Sequence, residues 1–162
     1  MKLLRETIRK LLIENYSDEE MTDFKKWHKP KEAAAAVDEI TDMFKFKDWW
    51  ETGSWPYKKK MYEVEYEPEP DCIVRIRVQV SYGSIYLDEI ETTPDCEGKG
   101  YATEAINMIK KVAKKHMVKI MLKAYAFNTH KGEGRMSSEQ LEGWYRSQGF
   151  TKDGWAMEWR PQ

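Results

Sequence analysis

Only two cysteines, three histidines and a net charge close to zero occur in this 162-residue chain. Cys72 and Cys96 are too few for a disulfide framework and lack the paired spacing of metal ligands, which fits a reducing compartment or simply two inert thiols. His28, His116 and His130 share no ligand spacing with carboxylates, and no metal site is expected. No apolar run approaches membrane-spanning length. The segment from Met1 to Ile13 is broken by Lys2, Arg5, Glu6, Arg9 and Lys10, which excludes a signal-peptide core. With 27 basic and 28 acidic residues the formal charge is −1, so no global field draws the chain to nucleic acid or to an anionic membrane. These absences predict a cytoplasmic protein with neither nucleic-acid nor membrane partner; a homodimer is not excluded.

What is present suits one globular domain over residues 17–162, preceded by an amphipathic helix over residues 1–16. Leu3, Leu4, Ile8, Leu11 and Leu12 recur at helical spacing with basic residues between them. Ser17 and Glu20 have capping-box spacing before Met21, Phe24 and Trp27. Pro30 suits a first helical position, and Ala33 to Ala36, Val37, Ile40 and Phe44 carry that helix toward Trp50. Alternation then takes over: Tyr62, Val64 and Tyr66 form one half-buried strand, and Val74, Ile76, Val78 and Val80 a second. Gly83-Ser84 reads as a hairpin turn into a third strand, Ile85 to Thr92. A helix follows, with Ala102, Ala105, Ile106, Ile109, Val112 and Ala113 inward and a run of lysines outward. Val118 to Ala124 is a strand parallel to the third, because a helix crosses between them. After a polar loop, a helix capped by Ser137 or Ser138 reaches Gln148, and Phe150 opens a hairpin to the strand Trp155 to Arg160.

Between the third strand and the long helix stands Glu97-Gly98-Lys99-Gly100-Tyr101-Ala102. The first N–H groups of a helix have no intrahelical partner, and glycines let backbone approach oxygen atoms closely, so this turn is suited to phosphate. The stretch from Leu87 to Ala102 resembles the strand, turn and helix of the GNAT superfamily of N-acetyltransferases, whose motif reads Arg or Gln, two residues, Gly, any residue, Gly or Ala. Leu141-Glu142-Gly143-Trp144-Tyr145-Arg146-Ser147-Gln148-Gly149-Phe150 resembles that family's second signature, a helix with Tyr in its last turn followed by Gly-Phe. The two stand in the family's order, and the resemblance extends in outline from Pro30 to Arg160.

The resemblance implies an α+β fold: a mixed, mostly antiparallel sheet flanked by helices and splayed in a V, with acetyl-CoA as co-substrate in the opening. The backbone of Thr92 and Thr93 would meet the pantetheine arm, and the N–H groups of Gly98, Lys99, Gly100, Tyr101 and Ala102 the pyrophosphate. Tyr145 would point at the sulfur. The sequence departs from the pattern in four places. Glu97 replaces Arg or Gln, setting two like charges a few Å apart at a cost of about 1–4 kcal/mol. Ser138 replaces the family's capping Asn, no obvious strand precedes the first domain helix, and the loop from Phe127 to Met136 is long.

Acetyl transfer to an amine needs a proton acceptor, since a lysine-like amine has a pKa of about 10.4. Glu89 and Glu91 on the splayed strand are candidates, and Tyr145 is the candidate acid for the departing thiolate. Trp49, Trp50, Trp55 and Tyr57 are placed to fill the core or to wall an acceptor amine site. The chain therefore reads as an N-acetyltransferase acting on a small-molecule or peptide amine. The competing reading is a GNAT-like binding or structural module without catalysis. Met1 to Glu14, with Leu12-Ile13-Glu14, also resembles the cleaved leader segments of proteins packaged in tailed-phage heads.

Overall fold

A computed structural model describes residues 17–54, 58–124 and 136–162. The predicted helix over residues 1–16 lies outside them, as do Trp55, Tyr57 and His130. Chain order is α1 (Asp18–Trp27), α2 (Pro30–Met43), β1 (Lys45–Thr52), β2 (Lys59–Glu69), β3 (Cys72–Ser81), β4 (Ser84–Thr92), a 3-10 turn (Pro94–Cys96), α3 (Tyr101–His116), β5 (Ile120–Leu122), α4 (Ser138–Ser147), β6 (Thr151–Asp153) and β7 (Ala156–Trp159). The strands form one sheet in the order β1-β2-β3-β4-β5-β7-β6. Every neighbouring pair is antiparallel except β4 and β5. This is the mixed α+β sheet expected, and no described helix is long and apolar enough to cross a membrane.

Local signals account for most of these elements. Ser17 caps α1 as anticipated: its Oγ accepts from Glu20 N at 3.2 Å, and its own N–H donates to the Glu20 carboxylate at 2.7 Å. Alternation in β3 buries Val74, Ile76 and Val78 completely, against Val64 of β2 and Ile85 and Leu87 of β4. Onto that face pack Ala33, Ala36, Val37 and Ile40 of α2 with Ala105, Ile106, Ile109 and Val112 of α3, giving one continuous core. Glu39 of α2 pairs with Lys115 and His116 in the last turn of α3, tying the two helices at that end.

Two elements differ from the sequence reading. The helix expected to run toward Trp50 stops at Met43, and Lys45–Thr52 is strand β1. No Gly or Pro interrupts the chain before Gly53, so nothing local marks the change. The aromatic residues Phe46, Trp49 and Trp50 favour a strand once β2 offers a ladder from Lys45↔Glu65 to Thr52↔Lys59. The β3–β4 hairpin turns at Tyr82-Gly83, one residue earlier than read, both residues having positive φ (50° and 66°). A Cβ at Gly83 would lie 2.8 Å from the carbonyl carbon of His28, so the turn packs directly on the α1–α2 connection.

Candidate functional site

The β4–α3–β5 unit creates the most distinctive feature of the sheet. The crossover between the parallel strands β4 and β5 brings the start of α3 to their C-terminal ends. The β4–β5 ladder covers only Ile85↔Ile120, Tyr86↔Met121 and Leu87↔Leu122, whereas β4 continues to Thr92. β5 is accordingly shorter than the expected Val118 to Ala124. At the same place β4 carries a bulge, since Arg77 pairs with Glu89 but Val78 with Leu87, leaving Asp88 as the extra residue. Bulges bend a strand and increase its twist. From Asp88 onward, then, the β5 side of β4 has no strand partner among the described residues.

Which backbone groups face that open side follows from antiparallel alternation. Thr93 N–H donates to Ile73 O at 2.9 Å, making 73/93 a hydrogen-bonded pair. Thr92, opposite Val74, is the intervening residue, so its N–H and C=O point away from β3. Thr93 is engaged within the protein. Its N–H is committed to Ile73, its C=O accepts from Cys96 N at 2.8 Å, and its hydroxyl lies between Ile73 N and Ile73 O at 3.0 and 3.2 Å. A cleft of about 190 Å³ opens beside it, lined by Ile73, Arg75, Glu91, Thr92, Thr93 and Pro94.

Beyond the 3-10 turn the chain passes Gly98 (φ +78°) and Gly100 (φ +88°), both in the left-handed region, and enters α3. A Cβ at either would meet nothing within 4 Å. Backbone conformation, not packing, therefore favours glycine here. The first helical bond is Glu104 N to Gly100 O at 3.0 Å. Among the described residues no acceptor meets the N–H groups of Gly98, Lys99, Gly100, Tyr101 or Ala102. The first N–H groups and the positive end of a 16-residue helix thus lie at a turn whose Gly98, Lys99 and Gly100 are exposed, an arrangement able to bind an anion.

Charge around the turn is less favourable. Glu97 is exposed beside it, and Lys99 does not offset it, because its Nζ is bound to Glu69 Oε1 at 2.7 Å. Glu69, in the last position of β2, is held below the usual carboxylate range by Lys99 first and by a hydrogen bond with Tyr101 second. Glu104 accepts from the Tyr66 hydroxyl at 2.8 Å.

The two candidate bases lie on the sheet face opposite the α2–α3 core, each across from an arginine: Glu89 pairs with Arg77, and Glu91 with Arg75 at 3.5 Å. Glu63 and Glu65 of β2 extend the pattern into a ladder of alternating charge over three strands. Sequence reading, which saw only half-buried carboxylates, could not supply those partners.

Tyr145 is buried, 6% exposed, in the aromatic group of Trp144 at 4.8 Å and Phe150 at 5.6 Å between ring centroids. Loss of solvent pushes its phenol well above the ordinary value. Its hydroxyl has no hydrogen-bond partner among the described residues, so it keeps its proton and has it to donate. Ser138 is the first residue of α4 and not its cap. Ser137 caps, its Oγ accepting from Gln140 N at 3.2 Å while Gln140 Oε1 accepts from Ser137 N at 2.9 Å.

Thr92, Thr93 and residues Gly98 to Ala102 thus gather at one end of β4, while Glu89 and Glu91 occupy the outer face of the sheet. Trp49 and Trp50 sit on edge strand β1, three strand spacings or about 14 Å from β4. Neither fills the core: Trp49 is 47% exposed and stacks under Lys60, and Trp50 lies beside Arg77. His116 pairs with Glu39, and His28 Nδ1 is 3.2 Å from Tyr82 O.

The structure also corrects the reading of the cysteines. Cys72, at the start of β3, and Cys96, in the 3-10 turn, are joined as a disulfide with Cα atoms 5.7 Å apart. Glu69 Oε1 lies against this disulfide, 3.2 Å from Cys72 Sγ. A sequence separation of 24 residues hid the pair, and only the β3–β4 register brings its two ends together.

No family model matches the sequence, and no curated protein matches it. Among solved structures the chain is similar to the crystal structure of the anti-CRISPR protein AcrVA5, with 24% identity and a TM-score of 0.45 over 60% of this chain and 97% of that chain.

Proposed function

We propose that the chain is an N-acetyltransferase of the GNAT type, moving an acetyl group from acetyl-CoA to a primary amine of a small molecule or peptide in the cytoplasm. The observation that carries the reading is the set of five unpartnered amides at the start of α3, beside the unpaired end of β4. In this reading the amides of Gly98 to Ala102 hold the pyrophosphate, and the backbone of Thr92 meets the pantetheine arm. Ser138 stands near the start of the second helix that the family uses.

The amine nitrogen attacks the thioester carbonyl carbon, the carbon–sulfur bond breaks, and the amine proton must leave. Because Glu89 and Glu91 are both engaged by arginines, a water relay to one of them is favoured over direct abstraction. Tyr145, protonated at any working pH, donates a hydrogen bond to the sulfur as negative charge develops there. Tyr145→Phe is expected to lower kcat by about 10- to 100-fold with cofactor affinity unchanged. Its melting temperature should barely move, since the hydroxyl has no protein partner to lose. Wild-type turnover in this variant removes Tyr145 from the acid role.

Thermal denaturation with acetyl-CoA, acetate and adenosine tests the cofactor reading directly: acetyl-CoA alone should raise the melting temperature substantially. An amine panel read by mass spectrometry then finds the acceptor. An absent shift at saturating acetyl-CoA sinks the proposal. The second reading, an acyl-CoA-binding module without turnover, is favoured by Glu97 beside the turn and by the arginine partners of both carboxylates. A shift without any acetylated product selects it.

A further inference from the structure

We propose that Cys72 and Cys96 form a reversible thiol–disulfide switch that sets how firmly the glycine turn is held against the sheet. Two links tie the segment 96–99 to the β2–β3 turn. One is the disulfide itself. The second is the ion pair from Lys99 Nζ to Glu69 Oε1. Cys96 lies two residues before Gly98, so the covalent link ends where the open amides begin.

The links are chemically coupled, not merely adjacent. Glu69 Oε1, the oxygen that receives Lys99, lies 3.2 Å from Cys72 Sγ, and Lys99 Nζ lies 3.8 Å from the same sulfur. In the disulfide that sulfur carries no proton and no charge. Reduction breaks the sulfur–sulfur bond. A dithiol reductant supplies two electrons and two protons and becomes a disulfide itself, leaving thiols at Cys72 and Cys96. The Cys72 thiol then donates to Glu69 Oε1 in competition with Lys99. That competition weakens the second link as the first is lost. Both sulfurs are buried, at 4% and 5% exposure, so exchange requires the turn to open, which is the motion the switch controls.

The ligand consequence rests on the reading of this turn as the pyrophosphate site; the conformational consequence does not. Protein oxidised with a disulfide donor and protein equilibrated with dithiothreitol, each verified by thiol counting, are compared in two measurements. Hydrogen exchange at the amides of Thr93, Cys96 and Glu97, which donate to the Ile73, Thr93 and Pro94 carbonyls respectively, should be at least about tenfold faster in the reduced protein. CoA affinity by calorimetry should fall about three- to tenfold on reduction, because the donors are no longer preorganised. Cys96→Ser should match the reduced protein in both measurements and ignore reductant, and Cys72→Ser gives the same test if that variant folds poorly.

Equal exchange in the two redox states overturns the switch, as does a protein that stays dithiol under oxidant. Faster exchange on reduction without CoA binding in either state upholds the switch and sinks the cofactor reading. CoA affinity that ignores redox state while exchange changes overturns the coupling to ligand.

Discussion

Acetyl-CoA binding should fall about 100-fold or more when Gly98 and Gly100 are both replaced by valine. Their φ values of +78° and +88° lie where an L-residue costs about 1–2 kcal/mol and a β-branched one more. Since a Cβ at either position meets nothing within 4 Å, no packing clash contributes, and the turn relieves its strain by rotating its peptides. That rotation turns away the amides of Gly98, Lys99 and Gly100. Hydrogen bonds to a charged group contribute about 1.5–3 kcal/mol each, so losing even two accounts for the expected factor. The new side chains also project into the space where the anion would lie. Calorimetry on the folded variant, with circular dichroism to confirm the fold, provides the measurement; affinity within threefold of wild type shows that the turn is not the phosphate site. Glu97→Gln should move affinity the other way, by about three- to tenfold at low salt and less as salt screens the charge.

The largest stability loss is expected at the helix behind that turn. Ile106 is fully buried between α2 and the sheet, in the group that holds Val37, Ile40 and Ile85. Ile106→Ala removes apolar surface and leaves a cavity bounded by two helices and a strand face, elements that relax little. A cost of about 3–4 kcal/mol follows, which for a domain of this size lowers the melting temperature by roughly 10 °C. Asn107, the next residue on the same helix, is exposed, and Asn107→Ala should change stability by no more than about 0.5 kcal/mol. Denaturant titration of both variants checks the contrast. A loss below about 1 kcal/mol at Ile106 would mean that α3 is not packed as described.

Much of the fold was legible because its signals are short-range. Alternation marked β2 and β3, a hairpin turn led into β4, the apolar spacing of Ala105, Ile106, Ile109 and Val112 marked α3, and Ser17 with Glu20 marked the start of α1. The glycine turn was legible for the same reason: two glycines before an amphipathic helix constrain backbone within a few residues. β1 was misread because a strand at a sheet edge is decided by the ladder its neighbour offers, and Lys45–Thr52 carries no local stop before Gly53. Ser137 took the capping role over Ser138 through Gln140, three residues on, a choice the sequence had left open.

By itself, then, the sequence determined most of the helices and strands, β1 excepted, and that a glycine turn feeds the start of a long helix, since each depends on neighbours within about one helical turn. Tertiary structure alone decided that β4 and β5 part after three residue pairs, that Arg75 and Arg77 occupy the candidate carboxylates, that Tyr145 is sealed among aromatics, and that Cys72 meets Cys96. Those outcomes are set by register and burial, which join residues far apart in the chain and have no signature in local spacing.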